Sequence, residues 1–133
     1  MAPKTLKKMK TAVAWFEIPT KKISRAKKFY ESIFEVELTD LDMGDDDFKM
    51  SMFPVEEGGI GGALCEHKGF YKPSHDGALV YLSGEPDLQL VLNRIEKNGG
   101  KILTPKTQIS GDYGYMAVFE DTEGNRVALH SMK

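Results

Sequence analysis

An internal repeat constrains this chain more than any other feature of its sequence. Residues 11–64 have the pattern of a strand, a helix and further strands, and residues 77–129 have the same pattern again. The match is closest at the two ends, where Gly61–Leu64 aligns with Arg126–Leu129 at a spacing of 65 residues. A repeat of this length determines the architecture of the fold.

Each half of the chain predicts a β-α-β-β-β module. A short apolar run, Ala12–Ile18, predicts the first strand. Apolar residues at helical spacing predict one helix in each half, through Ile23, Ala26, Phe29, Tyr30 and Ile33, and through Leu88, Val91, Leu92 and Ile95. One such sheet has a helix on a single face, so two modules are expected to form a curled mixed sheet around a cleft. The predicted fold class is α+β.

Length and composition predict one domain, 1–133, with modules at about 11–66 and 77–131 and a linker at 67–76. The net charge of −2 gives no overall field that would attract nucleic acid or a membrane. Cys65 is the single cysteine, which excludes an intrachain disulfide and fits a reducing, cytoplasmic location. The expected partners are therefore a small molecule and a second copy of the chain.

Two motifs occur in order along the chain. The first is Arg-Ala-x-x-Phe-Tyr within Ser24–Phe34, and the second is Asp-x-x-Gly-Asn within Phe119–Leu129. With Phe16–Pro19 and Ile95–Ile102, they give the chain a resemblance to the glyoxalase, bleomycin-resistance and extradiol-dioxygenase group, the vicinal oxygen chelate superfamily. The resemblance implies paired β-α-β-β-β modules and a homodimer.

Many members of that group hold a divalent metal on four strands, and the resemblance transfers those ligand positions to Trp15, Ala63, Val80 and Ala128. A metal ligand needs a lone pair on nitrogen, oxygen or sulfur, which none of these side chains offers. The sequence therefore predicts no metal cofactor, and the metal-dependent lyase and ring-cleavage activities of the group are not expected.

An alternative follows if the strand register is displaced by two residues, because such a shift keeps each side chain on the same sheet face. The four positions then become Glu17, Cys65, Leu82 and His130, of which three are real ligand types. This alternative predicts a lyase or isomerase with a displaced site for nickel, zinc or manganese. A metal-free acid–base catalyst that uses Glu17 and His130 is a related alternative.

The two-residue period of a strand places Val13, Trp15 and Glu17 on the cleft side, together with Arg126 and His130 from the last strand. The Trp15 indole could stack on a flat ligand, and the Arg126 guanidinium could hold a carboxylate or phosphate. Glu17 or His130 could move a proton. A simpler interpretation is that Glu17 forms an ion pair with Arg126 and that Trp15 belongs to the core.

The sequence also predicts a polar loop at Gln108–Tyr113, and Tyr113 and Tyr115 could cover a ligand at the cleft mouth or belong to an ordinary connection. His67 and His75 lie in the linker, where histidines are more often solvated than bound to a ligand, so they are not expected to form the site. The preferred function is metal-independent binding of a small amphipathic or aromatic molecule by Trp15, Tyr113 or Tyr115, and Arg126. A regulatory subunit with a vestigial cleft is a further possibility.

Overall fold

A computed structural model describes residues 5–133, and residues 1–4 lie outside the described part of the chain. Both halves have the β-α-β-β-β order. The first module consists of β1 Phe16–Pro19, α1 Ile23–Phe34, β2 Thr39–Asp42, β3 Lys49–Met52 and β4 Gly62–Glu66. The second consists of β5 Tyr81–Ser83, α2 Leu88–Ile95, a 3-10 turn Glu96–Asn98, β6 Lys101–Ser110, β7 Gly114–Glu120 and β8 Arg126–Ser131.

The strands form two four-stranded mixed sheets with the same topology. Their orders are β1-β4-β3-β2 and β5-β8-β7-β6. In each sheet the first and last strands of the module pair in parallel, and the other neighbours pair antiparallel. The α+β class and the two β-α-β-β-β modules are thereby confirmed.

Both helices bury the apolar stripes that the sequence predicts. The buried residues are Ala26, Phe29, Tyr30 and Ile33 in α1, and Leu88, Val91, Leu92 and Ile95 in α2. The core draws on both modules, since the rings of Phe29 and Phe119 lie 6.0 Å apart between centroids. The two modules therefore share a hydrophobic core.

Two predicted segments have different bounds in the structure. The first strand begins at Phe16 rather than at Ala12. The predicted loop Gln108–Tyr113 is wrong over its first half, because β6 continues to Ser110 and pairs with β7. Backbone hydrogen bonds across this hairpin outweigh the polar composition of the segment. The connecting turn is consequently short.

The N-terminus of α1 is capped by side chains that are distant in sequence. Lys22 occupies the capping position but its side chain makes no capping hydrogen bond. Instead, Glu123 Oε1 accepts hydrogen bonds from the backbone N–H groups of Lys21 and Lys22, both at 2.8 Å. Glu66 Oε1 accepts from Ile23 N at 2.7 Å. Carboxylates are favoured at this end of a helix because they complement its dipole.

A group of polar side chains, hereafter the junction network, joins α1 to the hairpin between β7 and β8, and all of its members except Arg25 are buried. It consists of Arg25, Tyr30, Asp121, Glu123 and Asn125. Asp121 accepts four hydrogen bonds, from Tyr30 Oη at 2.7 Å, Asn125 Nδ2 at 3.0 Å and the backbone N–H groups of Glu123 and Asn125 at 2.8 and 2.9 Å. Arg25 binds Glu123 through two nitrogens at 2.7 and 3.0 Å. The two sequence motifs thus meet in space.

Candidate ligand-binding site

The face of the first sheet that points away from α1, hereafter the outer face, holds Trp15 and Glu17. Glu17 lies opposite Ala63 in the pairing of β1 with β4, while the next pair along faces the core. Trp15 Nε1 donates a hydrogen bond to Glu17 Oε2 at 3.3 Å, so the two side chains share this face as predicted. The indole is 43% exposed, which leaves one of its surfaces available to a ligand.

Glu17 also borders a cavity of about 440 Å³, hereafter the aromatic recess, which is lined by Glu17, Phe48, His67, Phe70 and Tyr71. Tyr71 Oη donates to Glu17 Oε1 at 2.6 Å. The Tyr71 ring lies 5.0 Å from that of Phe70 and 5.9 Å from that of Phe48, measured between centroids. Three aromatic rings therefore stand beside one fixed carboxylate.

Cys65 and Tyr71 next to Glu17 remain protonated at neutral pH. Burial raises the pKa of the Cys65 thiol to about 11. Burial and the hydrogen bond to Glu17 raise the pKa of the Tyr71 phenol well above its usual value. The raised pKa values disfavour the anionic, nucleophilic forms of both groups at neutral pH.

Arg126 does not pair with Glu17, so the predicted ion pair between them is wrong. Both Glu17 oxygens are already bonded, to Trp15 and to Tyr71. Arg126 Nη2 donates instead to Gly77 O at 3.4 Å, and Arg126 Nε is buried without a hydrogen-bond partner. Glu17 and Arg126 both line a small recess of about 100 Å³ between the modules.

The other predicted site residues of the second module lie in different environments. His130 Nε2 donates to the backbone oxygen of Tyr113 at 2.6 Å, and the Tyr113 side chain is 69% exposed in the turn. Tyr115 lies opposite the buried Ser131 and packs on the core, whereas His130 lies opposite Met116 on the other face. Tyr115 therefore does not share a face with His130.

Sequence reasoning missed Phe48, Phe70 and Tyr71 as site residues. Phe70 and Tyr71 belong to the linker, in which only His67 and His75 were weighed as site residues, and Phe48 precedes β3. The sequence contained a signal, the adjacent aromatic residues Phe70 and Tyr71 in a segment without periodicity, and the structure shows Phe70 to be 77% exposed. Aromatic residues in a loop without periodicity indicate a binding surface as readily as a packed one.

The family comparison gives one match that covers most of the chain. Residues 12–129 match the model of the Glyoxalase/Bleomycin resistance protein/Dioxygenase superfamily. The chain belongs to this superfamily. A comparison with curated protein sequences gave no significant match.

Solved structures of this superfamily have the same fold. A variant of glyoxalase I from Zea mays aligns with a TM-score of 0.69 at 18% identity, over 90% of this chain and 44% of that one. The chain thus spans less than half the length of the maize protein. An antibiotic-binding protein from a Streptomyces species aligns with a TM-score of 0.60 at 20% identity, over 91% and 95% of the two chains. In residues 5–133, no helix is long and apolar enough to cross a membrane.

The positions that would hold a metal in this superfamily do not fit one in this chain. Ala63 and Ala128 are fully buried and have no donor atom, and the Trp15 indole nitrogen carries a hydrogen that it donates to Glu17. The prediction that Val80 occupies the fourth position is wrong by one residue. Tyr81 lies opposite Ala128, while Val80 packs on the core, because the first strand is displaced by one residue between the two repeats.

Of the displaced set, the structure brings Glu17 and Cys65 together but not Leu82 and His130. Leu82 is a core residue with 7% exposure, and His130 belongs to the second sheet. Across residues 5–133, no three His, Cys, Asp or Glu side chains are grouped so that they could hold a metal ion. The acid–base pair of Glu17 and His130 is likewise divided between different hydrogen-bonded groups.

Proposed function

We propose that this protein binds a small amphipathic or aromatic molecule on the outer face of its first module, without a metal. The observation that carries the proposal is the aromatic recess beside Glu17, whose partner in the sheet, Ala63, has no donor atom at a position where a metal ligand would be needed. A ligand would stack on Phe70, Tyr71 and the exposed surface of Trp15. Aromatic side chains supply large apolar contact areas with a defined geometry.

Two further observations support binding rather than catalysis. The Streptomyces protein with the same fold binds an antibiotic, and sequestration requires affinity but no reactive group. The Cys65 thiol and the Tyr71 phenol beside Glu17 are both held in their protonated forms. No specific observation favours the lyase or isomerase alternative.

The proposal includes a homodimer in the cytoplasm, with no nucleic-acid or membrane partner. Several large apolar side chains are at least a third exposed on strands or turns of both modules. They include Trp15, Leu41, Phe70, Tyr81, Leu103 and Tyr113. A second copy that covered part of this surface would remove it from water, which is favourable in proportion to the area buried. Sedimentation equilibrium tests this part of the proposal.

Metal content is the first test. Elemental analysis of the purified protein and titration with Ni²⁺, Zn²⁺ and Mn²⁺ should give no tight stoichiometric site. One tight equivalent that His130→Ala abolishes would contradict the metal-free proposal and favour the displaced site. The matched control is His75→Ala, which removes a histidine that bonds Glu120 and does not belong to the displaced set.

Ligand binding is the second test, by thermal shift against a panel of amphipathic and aromatic compounds. A ligand at a hundred times its Kd should add about 2.7 kcal/mol to the free energy of unfolding. Trp15 is the single tryptophan of the chain, so its fluorescence should report binding on the outer face directly. If no compound of the panel stabilises the protein, the regulatory subunit with a vestigial cleft becomes the better explanation.

A further inference from the structure

We infer that the aromatic recess selects a cationic group, so that the ligand of this protein carries an ammonium or similar cation next to an apolar body. The inference rests on the proposed function and specifies the chemical class of its ligand. Its basis is the combination of three aromatic rings with one carboxylate that has no counter-ion.

The Glu17 carboxylate lacks an ion-pair partner. Within residues 5–133, no lysine, arginine or histidine forms an ion pair with it, whereas Glu66 and Glu123 both have one. Its two hydrogen bonds come from the neutral groups of Trp15 and Tyr71. These bonds fix the position of the carboxylate and leave it without an ion pair, with Lys72 and Arg126 lining the small recess on its other side.

The walls of the recess suit a cation. The faces of Phe and Tyr rings attract cations through their quadrupole, and Phe48, Phe70 and Tyr71 surround the space in front of Glu17. The remaining wall is His67, whose Nδ1 accepts a hydrogen bond from Gly69 N at 3.2 Å.

The recess also distinguishes a cation on an apolar body from a simple ion. Its volume of about 440 Å³ exceeds what one small ion fills, and Phe70 exposes most of its surface at the rim. An ammonium group would lie against Glu17, and an aromatic or alkyl body would cover Phe70. Inorganic cations, which keep their hydration shells, gain little from such walls.

A matched pair of probes tests the inference. The probes are 2-phenylethylamine, which is a cation at neutral pH, and 2-phenylethanol, which has the same size and no charge. Binding is followed by NMR titration of ¹⁵N-labelled protein through the amide signals of residues 67–72. We expect the amine to bind about tenfold more tightly than the alcohol, with its largest shifts in this segment.

Variants identify the groups responsible. Glu17→Gln keeps the size of the side chain and should remove the preference for the amine, while Phe70→Ala should weaken both probes. Glu120→Gln removes a carboxylate of the second module and should leave both affinities unchanged. A similar affinity of the unaltered protein for both probes, or a preference that persists in Glu17→Gln, overturns the inference.

The failure of the inference and that of the proposed function give different results. If neither probe binds in the recess but a compound of the thermal-shift panel does bind the protein, the cation inference is overturned and the proposed function stands. If no compound stabilises the protein and neither probe shifts any amide signal, the proposed function itself is rejected.

Discussion

Two carboxylates in this protein each accept a hydrogen bond from a tyrosine hydroxyl, and their surroundings are opposite. Tyr30 donates to Asp121 at 2.7 Å inside the junction network, where Asp121 is 2% exposed. Tyr71 donates to Glu17 at 2.6 Å at the edge of the aromatic recess, where Glu17 is exposed. The same pair of functional groups thus serves to join two modules in one place and to border a cavity in the other.

The two carboxylates differ in how many hydrogen-bond donors and cations they contact. Asp121 accepts four hydrogen bonds, and its neighbour Glu123 is paired with Arg25, so the junction network has little left to offer a ligand. Glu17 has two donors and no cation. A buried polar group is costly when it loses a partner, whereas an exposed one can exchange its partner for water. Stability should therefore depend on the junction network, and binding on the recess.

Removal of each carboxylate in turn should show the difference between the two sites most clearly. Asp121→Ala leaves the Tyr30 hydroxyl and two backbone N–H groups buried without acceptors, and it leaves the Asn125 amide with Pro19 O alone, so we expect a loss of about 3 kcal/mol in the free energy of unfolding. Glu17→Ala should cost about 0.5 kcal/mol or less, because water replaces the carboxylate. Urea denaturation measures both, and equal losses would contradict the comparison.

The tyrosines give a smaller contrast. Tyr30→Phe removes a hydroxyl from a fully buried site and leaves Asp121 with one partner fewer, so we expect a loss of about 1–2 kcal/mol. Tyr71→Phe should change the free energy of unfolding by less than about 0.5 kcal/mol, but it frees Glu17 to move and should weaken ligand binding. Both variants can be compared by urea denaturation and by the probe titration. A larger loss of stability for Tyr71→Phe would reverse the assignment.

The pH dependence of the junction network is the most subtle test. Burial acts to raise the pKa of Glu123, but hydrogen bonds from Arg25 and from the backbone of Lys22 outweigh it, and the pKa is lowered. A carboxyl whose pKa is lower in the folded state stabilises the protein above its ordinary pKa, and this contribution is lost as the pH falls through the folded value. Burial raises the pKa of Asp121, which gives the opposite trend.

Glu123→Gln isolates the first of these contributions. The variant should be less stable than the unaltered protein at about pH 6, by roughly 1 kcal/mol, and the difference should shrink towards about pH 3. Parallel urea titrations at several pH values measure it, with Glu35→Gln as an exposed control. A difference that stayed constant over this range would show that Glu123 acts only through its shape.

The fold could be predicted from the sequence because its signals are local and repeated. The buried stripes of α1 and α2 follow from apolar residues at helical spacing, and the repeat reproduces the strand order. The register of β5 could not be predicted in this way. The repeat places Val80 at the site, and only the pairing of Tyr81 with Ala128 reveals that the strand is displaced by one residue.

The candidate site could be predicted only in part. The two-residue period of a strand correctly places Trp15 and Glu17 on one face. It contains no information on Phe70 and Tyr71, because a linker has no period and its path over the sheet depends on contacts that form after folding. The Glu17–Arg126 pair was the simplest assumption about two opposite charges. It is wrong because Tyr71 and Trp15 donate hydrogen bonds to the two oxygens of the Glu17 carboxylate.

The cap that Glu123 places on α1 has a consequence for protein synthesis. Residues 23–34 leave the ribosome long before residue 123, and at about 5–20 residues per second the interval of roughly 100 residues lasts several seconds. Throughout that time the N–H groups of Lys21 and Lys22 lack their acceptor, and Tyr30 lacks Asp121. The first module should therefore acquire its final stability only when the last hairpin has been translated.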